Sequence, residues 1–296
     1  MSKTTGYLRL MRPANIVTSV ADVLAGIAIS GLFRAQLFQT GYIASILLLC
    51  LSTIGLYGGG VVFNDVFDAA LDKIERPERP IPSGLISVRE AELLGGSLLV
   101  GGILAAFLSN YISGIIAFLT AIAALVYNRW SKHNAIIGPL NMGLCRGLNL
   151  LLGISILPLA LHLWWGLAAI PIIYIASITM ISRGEVHGGS RYILYMACLL
   201  YSLVIGFIVY FSFRKGTILY SLIFLLPFAW MIFTPLIKAI KTPVGRNIGK
   251  AVKAGVISLI LMNAAWAAAF GAIYAAILIV MLLPLSMKLG KMFAVT

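Results

Sequence analysis

The chain has 296 residues, of which 61% are apolar and only 10% are charged, with a mean hydropathy of +1.02 and a formal net charge of +13. Soluble globular domains carry about 45–50% apolar and about 25% charged residues, so this composition excludes a soluble enzyme and an intrinsically disordered chain. Apolar runs recur along the whole chain, and none alternates with the period of two that barrel strands require. We therefore expect an all-α protein, a polytopic transmembrane helical bundle in which residues 1–296 form one integral-membrane domain.

Apolar runs of roughly 20 residues are long enough to cross the hydrocarbon core as helices. In chain order, the predicted spans are 14–33, 42–63, 90–109, 111–128, 138–159, 164–182, 192–212 and 217–237. A last apolar region, 252–287, is too long for one crossing at a rise of about 1.5 Å per residue, and it predicts two helices with a turn near Gly271. The bundle is therefore expected to have nine or ten helices.

The Lys and Arg residues of the loops are distributed unevenly between the two sides of this bundle. If the N-terminus is cytoplasmic, the outer loops contain only Arg34, Arg214 and Lys215, and the other loop cations lie inside. Because cytoplasmic loops collect Lys and Arg, this pattern predicts a cytoplasmic N-terminus in an inner membrane of bacterial or archaeal type. The same bias, or a pocket for an anionic substrate, explains the net charge of +13. Nucleic-acid binding is not indicated, because the sequence has no basic stripe on a soluble module.

An acidic stretch follows the second predicted span and comprises Asn64, Asp65, Asp68 and Asp72. Their spacing places them on one face of a helix. Closely packed carboxylates repel one another in a low-dielectric site and stay ionised only beside a compensating cation. Carboxylate oxygens are hard ligands suited to Mg²⁺, which commonly shares its coordination sphere with substrate phosphates. The stretch therefore predicts a site for Mg²⁺ and a diphosphate at the membrane boundary.

The loop that comes next, 75–84, contains three prolines, which forbid a helix and predict an ordered loop. Its Arg76 and Arg79 have side chains suited to bidentate binding of phosphate oxygens. The alternative is an ordinary basic cytoplasmic loop, whose arginines pair with the aspartates of a solvated helix end. The glycine run 58–60 favours the binding site, because consecutive glycines in a helix indicate the close approach of another helix or a ligand.

The pattern Asn-Asp-x-x-Asp-x-x-x-Asp at 64–72, followed by Arg-Pro-x-Arg-Pro-Ile-Pro-Ser-Gly at 76–84, resembles the first aspartate-rich motif of the UbiA superfamily of intramembrane prenyltransferases. Arg-Pro-x-Asn at 12–15 and Tyr-Asn at 127–128 are similar to the same family, so the resemblance covers nearly the whole chain. It implies a UbiA-like bundle whose central cavity opens to the cytoplasmic side and laterally to membrane lipid. It also implies Mg²⁺-dependent transfer of an isoprenyl group from a prenyl diphosphate donor to an aromatic or other lipophilic acceptor.

The same resemblance implies roles for individual residues. Asn64, Asp65, Asp68 and Asp72 would hold Mg²⁺ and the donor diphosphate. The three aspartates together with Lys132 are the catalytic candidates, and Lys132 would contact phosphate oxygens. The substrate-binding candidates are Asn15, Arg76, Arg79 and Tyr127, together with Arg146, Arg183, Glu185 and His187, which are chosen for their own chemistry and not for the resemblance.

The chain departs from the family after the sixth predicted span, where the family has a second aspartate motif. The stretch 182–189 contains no aspartate, and it is similar to that of a UbiA-like membrane protein encoded in bacterial Ebo clusters. Glu185 could bind one Mg²⁺, His187 could exchange a proton, and Arg183 could neutralise diphosphate directly. Three interpretations follow: an enzyme with fewer metal ions, an enzyme with a different acceptor, or a non-catalytic protein that binds or moves a polyprenyl or other hydrophobic metabolite.

Asp22, in the first predicted span, and Arg146, in the fifth, are ionisable groups at positions where charge is costly and function is the default interpretation. We expect them to form an ion pair, either as a purely structural pair or with Arg146 contacting the diphosphate or the acceptor. An ion-coupled transporter would also explain these two charges, but it leaves the Arg-Pro loop beside the aspartates without a role.

Overall fold

The computed structural model describes residues 2–33, 41–185 and 188–293, so that Arg34 and His187 lie outside the described residues. The described ranges contain helices and turns and no strand. In chain order the α-helices are α1 (Lys3–Met11), α2 (Pro13–Ser30), α3 (Tyr42–Phe67), α4 (Ala69–Glu75), α5 (Val88–Ser109), α6 (Tyr111–Arg129), α7 (Ile137–Ile154), α8 (Pro158–Trp164), α9 (Ala169–Ser182), α10 (Arg191–Arg214), α11 (Ile218–Lys241), α12 (Gly245–Ala269), α13 (Ile273–Val280) and α14 (Leu282–Met292).

Nine helical segments of the described chain are long and apolar enough to cross a membrane. They are α2, α3, α5, α6, the joined α8 and α9, α10, α11, α12, and the joined α13 and α14. α7 is a further long helix, and it differs in carrying Asn141, Arg146 and Asn149, all of them buried. The predicted all-α polytopic bundle is confirmed. The turn expected near Gly271 is confirmed as well, because that residue has a φ of 82° between α12 and α13.

Several boundaries differ from the predicted spans by a few residues, and the ends of α3 and α7 differ for an identifiable local reason. α3 continues to Phe67 instead of ending at 63, because Asp65 finds basic partners inside the protein and the polar end can remain helical. α7 ends at Ile154 instead of 159, because Leu157 adopts an extended conformation ahead of Pro158. The residue before a proline is sterically disfavoured in a helix.

The short helix α1 is separated from the first span by a sharp bend. Arg12 has the left-handed values φ 50° and ψ 66°, and Pro13 then begins α2. Leu10 of α1 packs with Ile81 and Ile86 of the proline-rich loop in a small apolar cluster that is distinct from the main core. The cluster anchors this loop against α1 and α3. The anchored loop in turn positions Arg79, which lies between Pro77 and Pro80.

Glycines allow α3 and α5 to pack closely. A Cβ atom on Gly59 would lie 2.8 Å from the carbonyl oxygen of Gly95, and one on Gly102 would lie 2.8 Å from the carbonyl oxygen of Ser52. These distances confirm the close helix approach expected from the run 58–60. The pairing holds the end of α3, with its acidic residues, against the rest of the bundle.

A matched pair of substitutions tests this contact. We expect Gly102→Ala to lower the free energy of unfolding by about 1–3 kcal/mol, because the new methyl group would press on the backbone of α3. Gly101→Ala is the control, since a Cβ atom there meets nothing within 4 Å and alanine favours the helix by up to about 1 kcal/mol. Thermal unfolding of both variants in the same lipid nanodiscs gives the comparison. Equal midpoints would contradict the tight packing of the two helices.

Candidate active site

A cavity of about 260 Å³ lies inside the bundle, bounded by α2, α3, α6, α7, α9 and α12. Its polar lining residues are Arg12, Asn15, Thr53, Tyr57, Asn64, Thr120, Tyr127, Asn128, Arg146, Asn149 and Thr179. Much of the remaining wall is aliphatic, as at Leu56, Met142 and Ile175. The structure therefore brings Asn15, Asn64, Tyr127 and Arg146, which the sequence analysis selected, to one chamber. An apolar wall with a few polar groups is typical of a small-molecule site.

A chain of amide hydrogen bonds orients Asn64 at the wall of this cavity. The Nδ2 group of Asn128 donates to the carbonyl oxygen of Gly60 at 2.7 Å, and Nδ2 of Asn64 donates to Oδ1 of Asn128 at 3.1 Å. The absence of a side chain at Gly60 leaves its carbonyl accessible to α6. The amide nitrogen of Asn64 is therefore bonded to Asn128, and the amide oxygen is the group of this side chain that is suited to a cation.

The three predicted aspartates are each paired with basic side chains. Asp65 accepts from Arg12 at 2.7 Å and from Arg79 at 3.3 Å, and Asp72 accepts from the same Arg79 nitrogen at 2.7 Å. Asp65, Asp72 and Arg79 are almost fully buried. A buried ion pair persists only when each charge is compensated by close partners, and the shared guanidinium supplies that compensation.

Asp68 occupies a different place from the other two aspartates. It is the residue at which α3 ends and α4 begins, and its carboxylate forms an ion pair with Lys132 from the turn after α6. The acidic stretch is therefore divided into a buried pair, Asp65 with Asp72, and a more accessible carboxylate. The predicted single helical face is corrected to the end of the long α3 and the short α4, which are joined at Asp68 because the chain turns there towards the proline-rich loop.

Among the described residues, no group of three His, Cys, Asp or Glu side chains converges to hold a metal ion. The cause is the division just described, since one carboxylate faces Lys132 and two share Arg79. The donor chemistry nevertheless fits a hard divalent cation, because Asn64 lines the cavity with its amide and the carboxylates of Asp65 and Asp68 follow it within four residues. The metal-binding role of these residues and of Asp72 stays a prediction.

Arg12 is a site residue that the sequence analysis did not include among its candidates. It lines the cavity, bonds Asp65, and is the one residue other than glycine with positive φ in the described chain. Strained backbone of this kind persists where the surrounding structure requires it, commonly at functional sites. The Arg-Pro-x-Asn pattern at 12–15 was the available signal, but the bend that turns the guanidinium inward depends on tertiary contacts.

A second polar network forms one wall of the cavity, deeper in the bundle. Arg146 donates to Asp22 at 2.6 Å and to Thr18 at 2.8 Å, which confirms the predicted ion pair. Asn263 donates to the other oxygen of Asp22 at 2.7 Å, and the Arg146 guanidinium lies 4.9 Å from the centre of the Tyr57 ring. All of these hydrogen-bonding side chains are buried. Asn263 was not among the residues selected from the sequence, because its bond to Asp22 joins positions 241 residues apart.

The stretch that would carry a second acidic motif contributes little to this cavity. Arg183 is exposed, and its side chain donates to the carbonyl oxygen of Asn134 at 2.5 Å. Glu185 lines a second cavity, of about 440 Å³, together with Arg12. Desolvation raises the pKa of the Glu185 carboxyl above its ordinary value, and the positive charge of Arg76 opposes that rise. Arg76 itself is exposed, so the substrate-binding roles of these three residues remain predictions.

Comparison with known proteins identifies the family of the chain. A model of the UbiA prenyltransferase family matches residues 23–243 of the chain. A digeranylgeranylglyceryl phosphate synthase from Metallosphaera sedula is 31% identical over 188 residues, which make up 63% of this chain and 62% of the relative. The chain therefore spans about three fifths of the length of that relative.

Two solved structures share the fold. A structure of digeranylgeranylglyceryl phosphate synthase in membranes has a TM-score of 0.66 at 24% identity and covers 93% of this chain and 100% of the other. A UbiA homologue from Archaeoglobus fulgidus, solved bound to DMAPP and Mg²⁺, has a TM-score of 0.61 at 18% identity and covers 86% of this chain and 98% of the other. At these identities the similarity concerns the arrangement of the helices.

Proposed function

Because the chain belongs to the UbiA prenyltransferase family, we propose that it transfers an isoprenyl group from a prenyl diphosphate to a lipophilic acceptor within the membrane. One observation carries this proposal: a largely apolar chamber inside a membrane bundle is bordered by Asn64 and by Arg12, and Arg12 connects it to the aspartates. The chamber is suited to an isoprenoid chain, and the charged border is suited to the diphosphate.

Mg²⁺ is the cofactor of the proposed reaction, and Asn64, Asp65, Asp68 and Asp72 are the residues that would hold it. When bound, such an ion supplies charge neutralisation for the departing diphosphate.

The basic residues at the chamber's border bind and orient the donor. Arg12 lines the chamber, Arg79 shares Asp65 with it, and Lys132 pairs with Asp68; all three are suited to phosphate oxygens. Within the described part of the chain the Nε atoms of Arg12 and Arg79 have no hydrogen-bond partner, so each guanidinium retains an unused donor. We infer that the resting ion pairs keep these cations in position for the diphosphate.

The apolar wall excludes water while the isoprenyl carbon carries positive charge. Water in this chamber would capture the developing cation, so a dry cavity favours transfer to the acceptor. The ring of Tyr127 lines the chamber and offers a π face to the cation. The ring of Tyr57 already contacts Arg146, so we infer that it shapes the wall.

Sequence similarity guides the choice of acceptor and of membrane orientation. The name of the Metallosphaera sedula relative describes a glyceryl phosphate lipid as its product, so a lipid with a phosphate head is the first acceptor to test. The charged border lies where α1, α3 and α12 meet the same end of the bundle, and loop cations are concentrated at that end. Because positive loops stay in the cytoplasm, we infer that the N-terminus and the donor site face the cytoplasm.

A second candidate function is the binding or movement of a polyprenyl lipid without catalysis. A specific observation favours it: the stretch 182–189 carries no aspartate, and Glu185 is its one acidic residue. An enzyme with this sequence would have to hold the Mg²⁺ that neutralises the diphosphate with one acidic stretch only.

An assay in purified nanodiscs separates the two candidates. We expect a prenylated lipid and free diphosphate to form together from labelled prenyl diphosphates of increasing chain length, in the presence of Mg²⁺. A chelator should abolish both, and added Mg²⁺ should restore them. Diphosphate release that does not need Mg²⁺ would contradict the proposed site. Tight donor binding without turnover over the whole donor panel would favour the non-catalytic candidate.

A further inference from the structure

The second cavity, of about 440 Å³, adjoins the donor chamber and is assigned no role by the reaction described so far. It lies between the start of α2, the first half of α12 and the end of α14. Arg12, Asn15 and Val256 line both cavities. A molecule in the second cavity would therefore reach the boundary of the chamber in which we place the isoprenyl group.

The charges of this cavity differ from those of the donor site. Lys253 of α12 and Lys291 of α14 line it, and neither takes part in an ion pair within the described residues. At the donor site, by contrast, each cation that we assign to the diphosphate is paired with an aspartate. Among the described lining residues Glu185 is the one carboxylate, and it faces the positive charge of Arg76. The described wall of the cavity therefore carries two lysines that no carboxylate pairs with.

The rest of its wall is suited to a hydrocarbon chain. Val252, Ile257 and Met287 contribute apolar surface to the same cavity as the two lysines. Ser286 anchors α14 by donating to the carbonyl oxygen of Ala14 at 3.0 Å, so the helix that carries Lys291 is held against α2. Two ammonium groups beside an apolar wall match a lipid with a dianionic head better than a neutral lipid.

We propose that this second cavity binds the phosphate head of the acceptor lipid through Lys253 and Lys291. This inference rests on the proposed function, because it identifies the acceptor as a phosphomonoester lipid. Its position explains how the acceptor and the donor meet, since the head would be held at the second cavity while the reacting hydroxyl points past Arg12 and Asn15 into the chamber. The scarcity of carboxylates in 182–189 is consistent with it, because a second acidic cluster would repel an anionic acceptor.

Binding of two matched probes tests the proposal without requiring turnover. The probes are a long-chain alkylglycerol phosphate and the same alkylglycerol without its phosphate, titrated against the full chain in nanodiscs of phosphatidylcholine. We expect the wild type to prefer the phosphate form by at least about tenfold, because charge-assisted hydrogen bonds to two lysines are lost with the alcohol. The double variant Lys253→Gln/Lys291→Gln should bind both probes equally.

Lys250→Gln/Lys288→Gln is the matched control. These lysines are exposed on the same two helices but do not line the cavity. The control should keep the preference for the phosphate form, and both double variants should bind a non-hydrolysable prenyl thiodiphosphate as the wild type does. Loss of donor binding in the Lys253→Gln/Lys291→Gln variant would overturn the proposal, because the lysines would then belong to the donor site.

Four further results would also overturn it. The first is equal binding of the two probes by the wild type, and the second is an equal loss in the control, which would indicate general attraction to a basic membrane surface. The third is displacement of the phosphate probe by phosphatidylglycerol at equal concentration, which would indicate a site for bilayer phosphodiesters. Displacement by inorganic phosphate alone would indicate a site for the free ion and would overturn the lipid assignment. Selective binding without any prenyl transfer would support the anion site and contradict the proposed reaction.

Discussion

Replacing Asp68 with alanine is expected to lower the kcat of prenyl transfer by at least about a hundredfold while the bundle stays folded. Asp68 lies at the junction of α3 and α4, and its side chain is 20% exposed. Its loss removes a carboxylate from the proposed metal and diphosphate site. Initial rates at saturating donor and Mg²⁺, with the thermal unfolding midpoint as a check on folding, measure the two effects separately.

Two controls separate a role in the reaction from simple charge balance. Glu78→Ala removes an exposed carboxylate from the neighbouring loop and should leave the rate unchanged. If Asp68 served only to neutralise Lys132, as in a solvated helix end, the double variant Asp68→Ala/Lys132→Met would recover activity. We expect no recovery, because phosphate binding then loses a cation as well. Wild-type rates in Asp68→Ala would contradict the proposed site outright.

The features that could be predicted from the sequence are those controlled by the membrane itself. The thickness of the hydrocarbon core sets the length of the spans, so most helices were located to within a few residues. A lone charge in lipid is costly, so the sequence predicted a pair between Asp22 and Arg146. In the structure Nη1 of Arg146 lies 2.6 Å from Oδ2 of Asp22. The run of glycines at 58–60 likewise predicted close packing, since few other arrangements tolerate it in a helix.

The features that could not be predicted depend on contacts between distant parts of the chain. The bend at Arg12 is stabilised by Asp65, more than fifty residues away in sequence. Asp68 leaves the face of its neighbours because Lys132, after α6, attracts it. Lys253 and Lys291 belong to different helices, and nothing in their local sequence indicates that they line one cavity. Local sequence patterns thus identified the types of residue at the donor site. Which aspartate pairs with which basic residue could be seen only in the folded structure.

The Asp22–Arg146 pair is expected to give the largest stability effects of any substitution considered. Asp22→Leu would leave the Arg146 guanidinium buried without a counter-charge, and Arg146→Met would leave a buried carboxylate. Each single variant should lower the free energy of unfolding by about 3–5 kcal/mol, the typical cost of breaking a buried pair on one side. Exposed Lys3, which pairs with Glu90, provides the control, and Lys3→Met should leave the unfolding midpoint nearly unchanged.

The double variant Asp22→Leu/Arg146→Met decides between the two roles left open for Arg146. Removing both charges should recover most of the lost stability, because apolar side chains of similar size often replace a buried pair without loss. We expect activity to recover too, since the Arg146 guanidinium is already bonded to Asp22 and Thr18 and covers the Tyr57 ring. A stable double variant that remains inactive would instead support Arg146 as a direct contact of the diphosphate or the acceptor. Stability would then recover without the guanidinium, whereas turnover would still require it.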